Sequence, residues 1–252
     1  MEVKKRAKII TDWINNYCDS ASYKPKALVV GISGGIDSSV VSTLCANTGR
    51  KTIVLTMPIK QIKSQHDLSL THAKWLKEKY NNVEHHLLEM DKIFNSFSQV
   101  LNKFDNEHGY ANSRARLRMA TLYQVAAANN GIVVGTGNKV EDFGVGFYTK
   151  YGDGGVDISP IADCTKTQVW ELGKYLGVSE EIINSQPTDG LWDDGRNDVQ
   201  QLGMSYEDLE KAMENKDDPN YQKYLKTVSY THLRAHETPE HRGFRRVREK
   251  KK

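Results

Sequence analysis

The sequence predicts an α/β fold, in which helices cover both faces of a doubly wound, mostly parallel sheet. Two short segments, residues 27–32 (ALVVGI) and 131–135 (GIVVG), are apolar throughout and rich in valine and isoleucine. Strands of this composition are buried on both faces, which is typical of parallel sheets. Segments with helical periodicity alternate with strand-like segments along the chain, as they do in βαβ units.

The hydrophobic pattern assigns the elements in chain order. The first helix, residues 3–20, is predicted from apolar residues that recur at helical spacing. These residues are Val3, Ala7, Ile10, Ile14 and Tyr17. The remaining predicted helices span residues 38–47, 64–80, 91–104 and 111–129, and the remaining strands span 52–57 and 82–88. Two stretches, 136–165 and 187–203, lack periodicity, and such long irregular segments are usually functional or disordered.

Composition favours a globular protein of one domain. Of the 252 residues, 27% are charged and 38% are hydrophobic, and the mean hydropathy is −0.62. No apolar run approaches the roughly 18 residues of a membrane span, and the N-terminus lacks the apolar centre of a signal peptide. We therefore expect a cytoplasmic protein with no membrane partner. Cys18, Cys45 and Cys164 form no CxxC pair, so we interpret them as reduced and structural.

The net charge of +3 is concentrated at one end of the chain. Residues 228–252 contain eight basic and three acidic residues, so the rest of the chain carries −2. After Lys226 the sequence shows no helical period. We expect one domain over residues 1–227, followed by a basic tail that is non-native or disordered. The tail alone would suggest RNA binding, but the acidic body lacks a basic footprint, so no nucleic-acid partner is predicted.

The strongest motif is SGGIDS at residues 33–38, between the first strand and a helix start. Adjacent glycines and a helix N-terminus form a cradle for anions, and the hydroxyls of Ser33 and Ser38 could donate to it. Asp37 would repel a phosphate, which is explained most simply by a bridging Mg²⁺. The alternative is an ordinary glycine-rich turn with Asp37 as a helix cap.

A second motif, NSRARLRM at residues 112–119, places three arginines within five residues. On a helix, Asn112 and Arg116 share one face, and Arg114 and Arg118 share another. Such a cluster suits a polyanionic ligand. The alternative is a solvated helix face with surface ion pairs.

A third motif extends from Gly135 to Ile161 and is dense in glycine and charge. Glu141 follows a strand end, where it could add a second carboxylate to a metal held by Asp37. The charged residues that lie among its glycines are Lys150, Asp153 and Asp157. The alternative is a mobile surface loop.

A fourth motif, TKTQ at residues 165–168, has the pattern of a capping box. Lys166 would then be the first helical residue, where its charge and the helix dipole can act on one phosphate. The alternative is an exposed lysine at a helix start.

The SGGIDS segment resembles the pyrophosphate-binding loop of the ATP pyrophosphatase (PP-loop) superfamily. With the other three motifs, Pro187-Thr188 and DDGR at 193–196, residues 3–226 resemble the NAD synthetase family. This resemblance implies a Rossmann-like fold of the adenine nucleotide alpha hydrolase type. Another PP-loop enzyme, of the GMP synthetase or tRNA-modifying type, and a nucleotide-binding regulator without turnover are the alternatives.

The resemblance also implies an activity, which is the ATP- and Mg²⁺-dependent amidation of deamido-NAD⁺ to NAD⁺. An adenylated nicotinate is attacked by ammonia, and AMP and pyrophosphate are released. The implied ATP-binding residues are Gly31, Ile32, Ser33, Gly34, Gly35, Asp37, Ser38, Thr136, Lys166 and Thr188. Arg116, Lys150 and Asp157 would contact deamido-NAD⁺, and Asp37 and Glu141 would bind Mg²⁺. The implied catalytic residues are Asp37, Asp153 and Lys166, with Asp153 orienting ammonia.

The family forms homodimers, and the amphipathic first helix could serve that contact. Only about 25 residues precede the first strand, so we expect direct use of ammonia, or ammonia from a separate subunit, rather than an attached glutaminase. Two features depart from the family. Cys164 replaces a usual apolar residue, and the C-terminus lacks a His-Lys pair that contacts deamido-NAD⁺.

Overall fold

The computed structural model describes residues 1–186 and 202–235, with side chains as far as Val228. Four parallel strands form one sheet in the order β3-β2-β1-β4. Their bounds are Ala27–Gly31 (β1), Lys51–Thr56 (β2), Val83–Leu87 (β3) and Gly131–Val133 (β4). Because β1 pairs with both β2 and β4, the direction of winding reverses between β1 and β4.

Nine α-helices are described within those residues. They are α1 (Val3–Ser20), α2 (Ile36–Asn47), α3 (Lys63–Lys79), α4 (Asp91–Val100), α5 (Glu107–Ala128), α6 (Lys166–Leu176), α7 (Glu180–Ile183), α8 (Tyr206–Glu214) and α9 (Tyr221–Ala235). A 3₁₀ turn, Asn102–Phe104, follows α4, and a π-helix, Lys139–Val145, follows β4.

Alternate residues of β1 point into two different cores. Leu28 and Val30 pack with α1, α2 and α6 on one face, whereas Ala27 and Val29 pack with α4 and α5 on the other. The helix α3 lies on the first face, because it packs against Val54, which pairs in register with Val30. The predicted doubly wound parallel sheet is therefore confirmed.

Element boundaries differ from the predicted ones where side chains intervene. β4 ends at Val133 instead of residue 135, because Val134 forms only an isolated bridge with Ile158. α5 begins four residues earlier than predicted, because the Asn106 side chain caps it by accepting from the Gly109 amide at 2.7 Å.

The expectation that the first helix could serve a dimer contact stays a prediction, and the contact would have to use the exposed side of α1, which carries Ile9, Trp13 and Tyr17. Ala7, Ile10 and Ile14 are buried in this chain's own core, where α1 packs against α2 and α6. The face that carries these three buried residues is therefore occupied within the monomer.

The expectation that helical structure stops after Lys226 is also wrong. The helix α9 continues to Ala235 and packs against the π-helix. The Tyr224 hydroxyl donates to the Gly144 carbonyl at 2.9 Å, and the Thr227 hydroxyl donates to the Leu202 carbonyl at 3.2 Å. The boundary between domain and tail at residue 228 stays a prediction, and residues 236–252 lie outside the described part.

Two simpler expectations concern the cysteines and the membrane. Cys18, Cys45 and Cys164 are all free and buried, consistent with a structural role. Within the described ranges, every helix is too short or too polar to cross a membrane.

One buried histidine makes the stability of this fold depend on pH. His72 of α3 is 2% exposed, its Nε2 lies 3.1 Å from the Ser42 hydroxyl, and its ring stacks on Trp75. Burial lowers the pKa of His72 to about 4 from its ordinary value of 6.5. Between these two values the unfolded chain takes up a proton that the folded chain does not.

We therefore predict that His72 lowers the free energy of unfolding as the pH falls from 6.5 to about 4, by about 3 kcal/mol in total. Urea unfolding at several pH values checks this. His72→Gln keeps an amide for Ser42 but does not titrate, so its stability should fall less than that of the wild type. A constant difference between the two proteins from pH 7.5 to 4.5 would contradict the prediction.

Candidate active site

A cavity of about 560 Å³ opens where the direction of winding reverses. Ligands bind at this position in open α/β sheets, beyond the carboxyl ends of the strands. The loop after β1, the loop after β4 and one side of α5 line the cavity. The predicted site residues that line it are Gly31, Ile32, Ser33, Gly34, Gly35, Asp37, Ser38, Thr136, Glu141, Asp153 and Lys166.

The SGGIDS loop is held by its own hydroxyl groups. The Ser38 hydroxyl donates to the Gly35 carbonyl at 3.0 Å and accepts from the Ser33 amide at 3.2 Å. The Ser33 hydroxyl lies 3.1 Å from that of Ser38 and accepts from the Gly35 amide at 3.2 Å. The two serines, predicted as donors to an anion, thus stabilise the loop through hydrogen bonds within it.

Position 34 requires a glycine, both for its backbone conformation and because no side chain fits there. Its φ of +93° lies in the left-handed region, which favours glycine. A Cβ atom at this position would collide with the Gln65 backbone carbonyl of α3 and lie 3.2 Å from the Ser69 amide nitrogen. The glycine therefore lets the SGGIDS loop lie directly against α3.

The alternative of Asp37 as a helix cap is wrong, because the N-cap of α2 is Gly35. The Asp37 carboxylate instead faces Lys166, whose Nζ lies 2.6 Å from Asp37 Oδ2 and 2.8 Å from Glu141 Oε1. Lys166 is only 2% exposed, so the alternative of a surface lysine is also wrong. Three predicted residues from distant parts of the chain thus form one cluster, which we call the lysine–carboxylate cluster.

Two further residues complete this cluster, and both were missed as site residues. Asn138 donates from Nδ2 to Asp37 Oδ1 at 2.9 Å, while its Oδ1 accepts from the Val140 and Glu141 amides. The Tyr206 hydroxyl donates to Glu141 Oε1 at 2.6 Å. Asn138 lay within a recognised motif, but no signal near Tyr206 in the sequence indicated a role.

The pKa values of the two carboxyl groups in the cluster are shifted in opposite directions. Burial raises the pKa of Asp37 above its ordinary value, which the Lys166 ammonium opposes and the Glu141 carboxylate reinforces. Burial also acts to raise the pKa of Glu141. The Lys166 ammonium and the Tyr206 hydroxyl outweigh it and hold that pKa below its ordinary value. Glu141 is therefore the more firmly ionised partner of Lys166.

Lys166 owes its position to the start of α6. The predicted capping box is confirmed, because the Thr165 side chain accepts from the Gln168 amide and the Gln168 side chain accepts from the Thr165 amide. Glu210 of α8 accepts from both the amide and the hydroxyl of Thr167, at 2.9 and 2.6 Å. The capping box and Glu210 thus both hold the first turn of α6, which fixes the position of the Lys166 backbone.

Two carboxylates beside a phosphate-binding loop fit the usual mode of Mg²⁺ binding, by one or two carboxylates together with substrate phosphates. Among residues 1–186 and 202–235, no three acidic, histidine or cysteine side chains converge as a metal cage. Asp37 and Glu141 would therefore hold Mg²⁺ jointly with a nucleotide, and Lys166 now contacts both of them.

The three arginines of α5 make different contacts. Arg118 lines the cavity and donates from Nε to the Met57 carbonyl at 2.9 Å. Arg116 is exposed and donates from Nε to the Lys150 carbonyl, and Arg114 is buried over the Phe94 ring. The three side chains thus lie in different surroundings, and binding of a polyanion by this cluster stays a prediction.

The remaining predicted residues divide into two groups. Asp153 accepts from the Thr149 amide at 2.9 Å and borders the cavity, whereas Lys150 and Arg116 do not border it. Asp157 also lies apart, because its carboxylate accepts from the Val133 amide and the Tyr123 hydroxyl. Thr188 and the stretch 187–201 lie outside the described residues.

The chain has the fold and site of a nucleotide-binding protein of the PP-loop class. A parallel sheet carries the SGGIDS loop where its direction of winding reverses, and the cavity and the lysine–carboxylate cluster lie beside that loop. A sequence model described as NAD synthase matches residues 6–241. The chain therefore belongs to the NAD synthase family.

Relatives in this family resemble the chain over most of its length. The NH(3)-dependent NAD(+) synthetase of Alkaliphilus metalliredigens is 37% identical over 89% of this chain and 92% of its own. The structure of NMN synthetase from Francisella tularensis is 32% identical, covers 94% of this chain and 95% of its own, and has a TM-score of 0.83. The structure of the NH3-dependent NAD synthetase from Campylobacter jejuni is 27% identical, covers 94% of this chain and 94% of its own, and has a TM-score of 0.71.

We predict that Gly34→Ala lowers the free energy of unfolding by about 2 kcal/mol or more, because an alanine there combines positive φ with a backbone collision. Gly35→Ala is the matched control. Its Cβ would meet only the Ser33 hydroxyl oxygen, at 3.4 Å, and we expect its stability to stay near that of the wild type. Thermal unfolding of the three proteins measures the difference, and equal midpoints would contradict the role given to Gly34.

Proposed function

We propose that this protein amidates the nicotinic acid carboxylate of deamido-NAD⁺ to give NAD⁺, using ATP and ammonia. The observation that carries the proposal is the lysine–carboxylate cluster beside the SGGIDS loop, in a chain that belongs to the NAD synthase family. The reaction adenylates the carboxylate with release of pyrophosphate, after which ammonia displaces AMP.

The chain needs no protein nucleophile for this reaction. It needs groups that stabilise charge developing on phosphate oxygens. The loop from Gly31 to Ser38, which leads into the N-terminus of α2, would hold the ATP phosphates. Lys166 would donate to the phosphates once it leaves its carboxylate partners. Thr136 and Thr188 are further proposed ATP contacts.

Magnesium is the proposed metal, which Asp37 and Glu141 would hold, and it would supply Lewis-acid stabilisation of charge on the phosphates. Asn138 and Tyr206 orient the two carboxylates. Asp153 is the proposed acceptor of the proton from ammonia, since it borders the same cavity.

Ammonia is the proposed nitrogen source, because the relative from Alkaliphilus metalliredigens is named NH(3)-dependent and the chain covers 92% of it. Arg116, Lys150 and Asp157 are the proposed contacts of deamido-NAD⁺. They lie outside the cavity of one chain, which is compatible with a dinucleotide that extends beyond it.

A homodimer in the cytoplasm is the proposed state. The helix α4 and the 3₁₀ turn that follows it expose apolar side chains that a partner subunit could cover. These are Ile93, Val100 and Phe104, with exposed fractions of 53%, 81% and 77%. Light scattering of the purified protein would contradict the dimer if it gave a monomer mass at micromolar concentration.

A second candidate substrate is nicotinic acid mononucleotide, which the same chemistry would convert to NMN. The observation that favours it is the likeness to the Francisella tularensis NMN synthetase, with a TM-score of 0.83 against 0.71 for the Campylobacter jejuni NAD synthetase. The cavity beside the PP-loop is common to both candidates, because each substrate is adenylated at the same carboxylate.

We predict that Asp37→Asn lowers the rate of NAD⁺ formation from deamido-NAD⁺, ATP, Mg²⁺ and ammonium at least about 100-fold. Asparagine keeps the shape of the side chain but removes a charge from the metal and phosphate site. NAD⁺ is measured by a coupled dehydrogenase assay, and circular dichroism confirms that the variant is folded. Glutamine in place of ammonium should give almost no product. An Asp37→Asn enzyme with wild-type rate would defeat the proposal.

We predict further that kcat/KM for deamido-NAD⁺ exceeds that for nicotinic acid mononucleotide under identical conditions. The extra AMP moiety of the dinucleotide offers more contacts, and a protein that binds it uses them to stabilise the transition state. Chromatography of the products separates NAD⁺ from NMN in a competition experiment. A preference for the mononucleotide would replace the first candidate substrate with the second.

A further inference from the structure

The ammonium of Lys166 lies between the two carboxylates that would hold a divalent cation. It contacts Asp37 Oδ2 and Glu141 Oε1, which belong to the two carboxylates that fit Mg²⁺. Other positions around these carboxylates are also occupied, because Asp37 Oδ1 accepts from Asn138 and Glu141 Oε1 accepts from Tyr206. The ammonium, a cation that belongs to the protein, thus already pairs with both carboxylates and balances one of their two charges.

Two cations cannot share this position at low cost. The side chain of Lys166 is 3% exposed, and those of Asp37 and Glu141 are 17% and 16% exposed, so water screens the charges poorly. A divalent ion that entered beside the ammonium would be repelled strongly in such surroundings. The ion can bind well only if the lysine moves away.

A nucleotide supplies a new partner for the displaced lysine. Lys166 lines the same cavity as the loop residues Ser33, Gly34 and Gly35, so phosphates bound on that loop would lie within its reach. The start of α6 is fixed by Thr165, Gln168 and Glu210, but the flexible four-carbon stem of the lysine allows its ammonium to turn.

Resting on the proposed function, we propose that Lys166 is an internal counter-ion that competes with a divalent cation for Asp37 and Glu141 and makes divalent-cation binding depend on the nucleotide. The lysine keeps the two carboxylates paired until phosphates arrive. It then exchanges its carboxylate partners for phosphate oxygens, which leaves the carboxylates to the metal. Tyr206 retains its hydrogen bond to Glu141 and holds that carboxylate during the exchange.

The exchange couples the two ligands energetically. Because binding free energies are reciprocal, a nucleotide that raises the affinity for the metal is itself bound more tightly in the presence of the metal. Removing the ammonium should weaken this coupling, since the carboxylates would then accept a cation without a nucleotide.

The test uses Mn²⁺ as a probe, with free Mn²⁺ measured by electron paramagnetic resonance at pH 8 and no nucleotide present. We expect Lys166→Met to bind Mn²⁺ about tenfold or more tightly than the wild type. Lys174→Met is the matched control, because Lys174 lies exposed on the same helix, and it should bind Mn²⁺ like the wild type. The double variant Lys166→Met/Glu141→Gln should lose the gained affinity, which assigns the ion to this site.

A second measurement tests the wild type alone and does not depend on the folding of any variant. The probe is an ATP analogue with a methylene group between the α- and β-phosphates. We expect the complex of wild-type protein and analogue to bind Mn²⁺ about tenfold or more tightly than the analogue alone does. Wild-type protein that binds Mn²⁺ equally well with and without the analogue would overturn the proposal, as would a Lys166→Met variant with unchanged affinity. Either result could accompany full NAD⁺ synthesis, so this failure is distinguishable from failure of the proposed function.

Discussion

The structure of this site depends on one buried cation held between two carboxylates. Lys166 comes from the start of α6, Asp37 from the first turn of α2, and Glu141 from the π-helix after β4. Each charge would be costly to bury alone, and breaking such a group by removing one member typically costs about 3–5 kcal/mol. The three segments are therefore held together by the requirement that their charges stay paired.

The C-terminal part of the described chain supports this arrangement from outside the sheet. The helix α8 contributes Tyr206 to Glu141 and Glu210 to Thr167. The helix α9 packs with α8 over the π-helix, and their apolar side chains form a separate small core around Val140 and Val145. The helix α8 thus positions Glu141 and the start of α6, and α9 packs against both α8 and the π-helix.

The SGGIDS loop and the lysine–carboxylate cluster lie side by side because the direction of winding reverses between β1 and β4. The reversal separates the loops that follow these two strands and leaves room between them for a ligand. The loop after β1 closes on itself through Ser33 and Ser38, while the loop after β4 presents Asn138 and Glu141 across the gap. A nucleotide bound there would meet backbone amides on one side and the charged cluster on the other.

The amino-acid sequence by itself determined the features that depend on neighbouring residues. These include the apolar strands, the SGGIDS loop and the capping box that places Lys166 first in α6. Only the tertiary structure decided what that lysine contacts, because its carboxylate partner Asp37 lies 129 positions away in the chain. The same holds for Tyr206, which lies 65 positions from Glu141 and follows no recognisable motif. Strands, glycine-rich loops and helix caps can be predicted from a short segment, because they depend on neighbouring residues. Charge pairing between distant residues follows only from how the helices pack on the sheet.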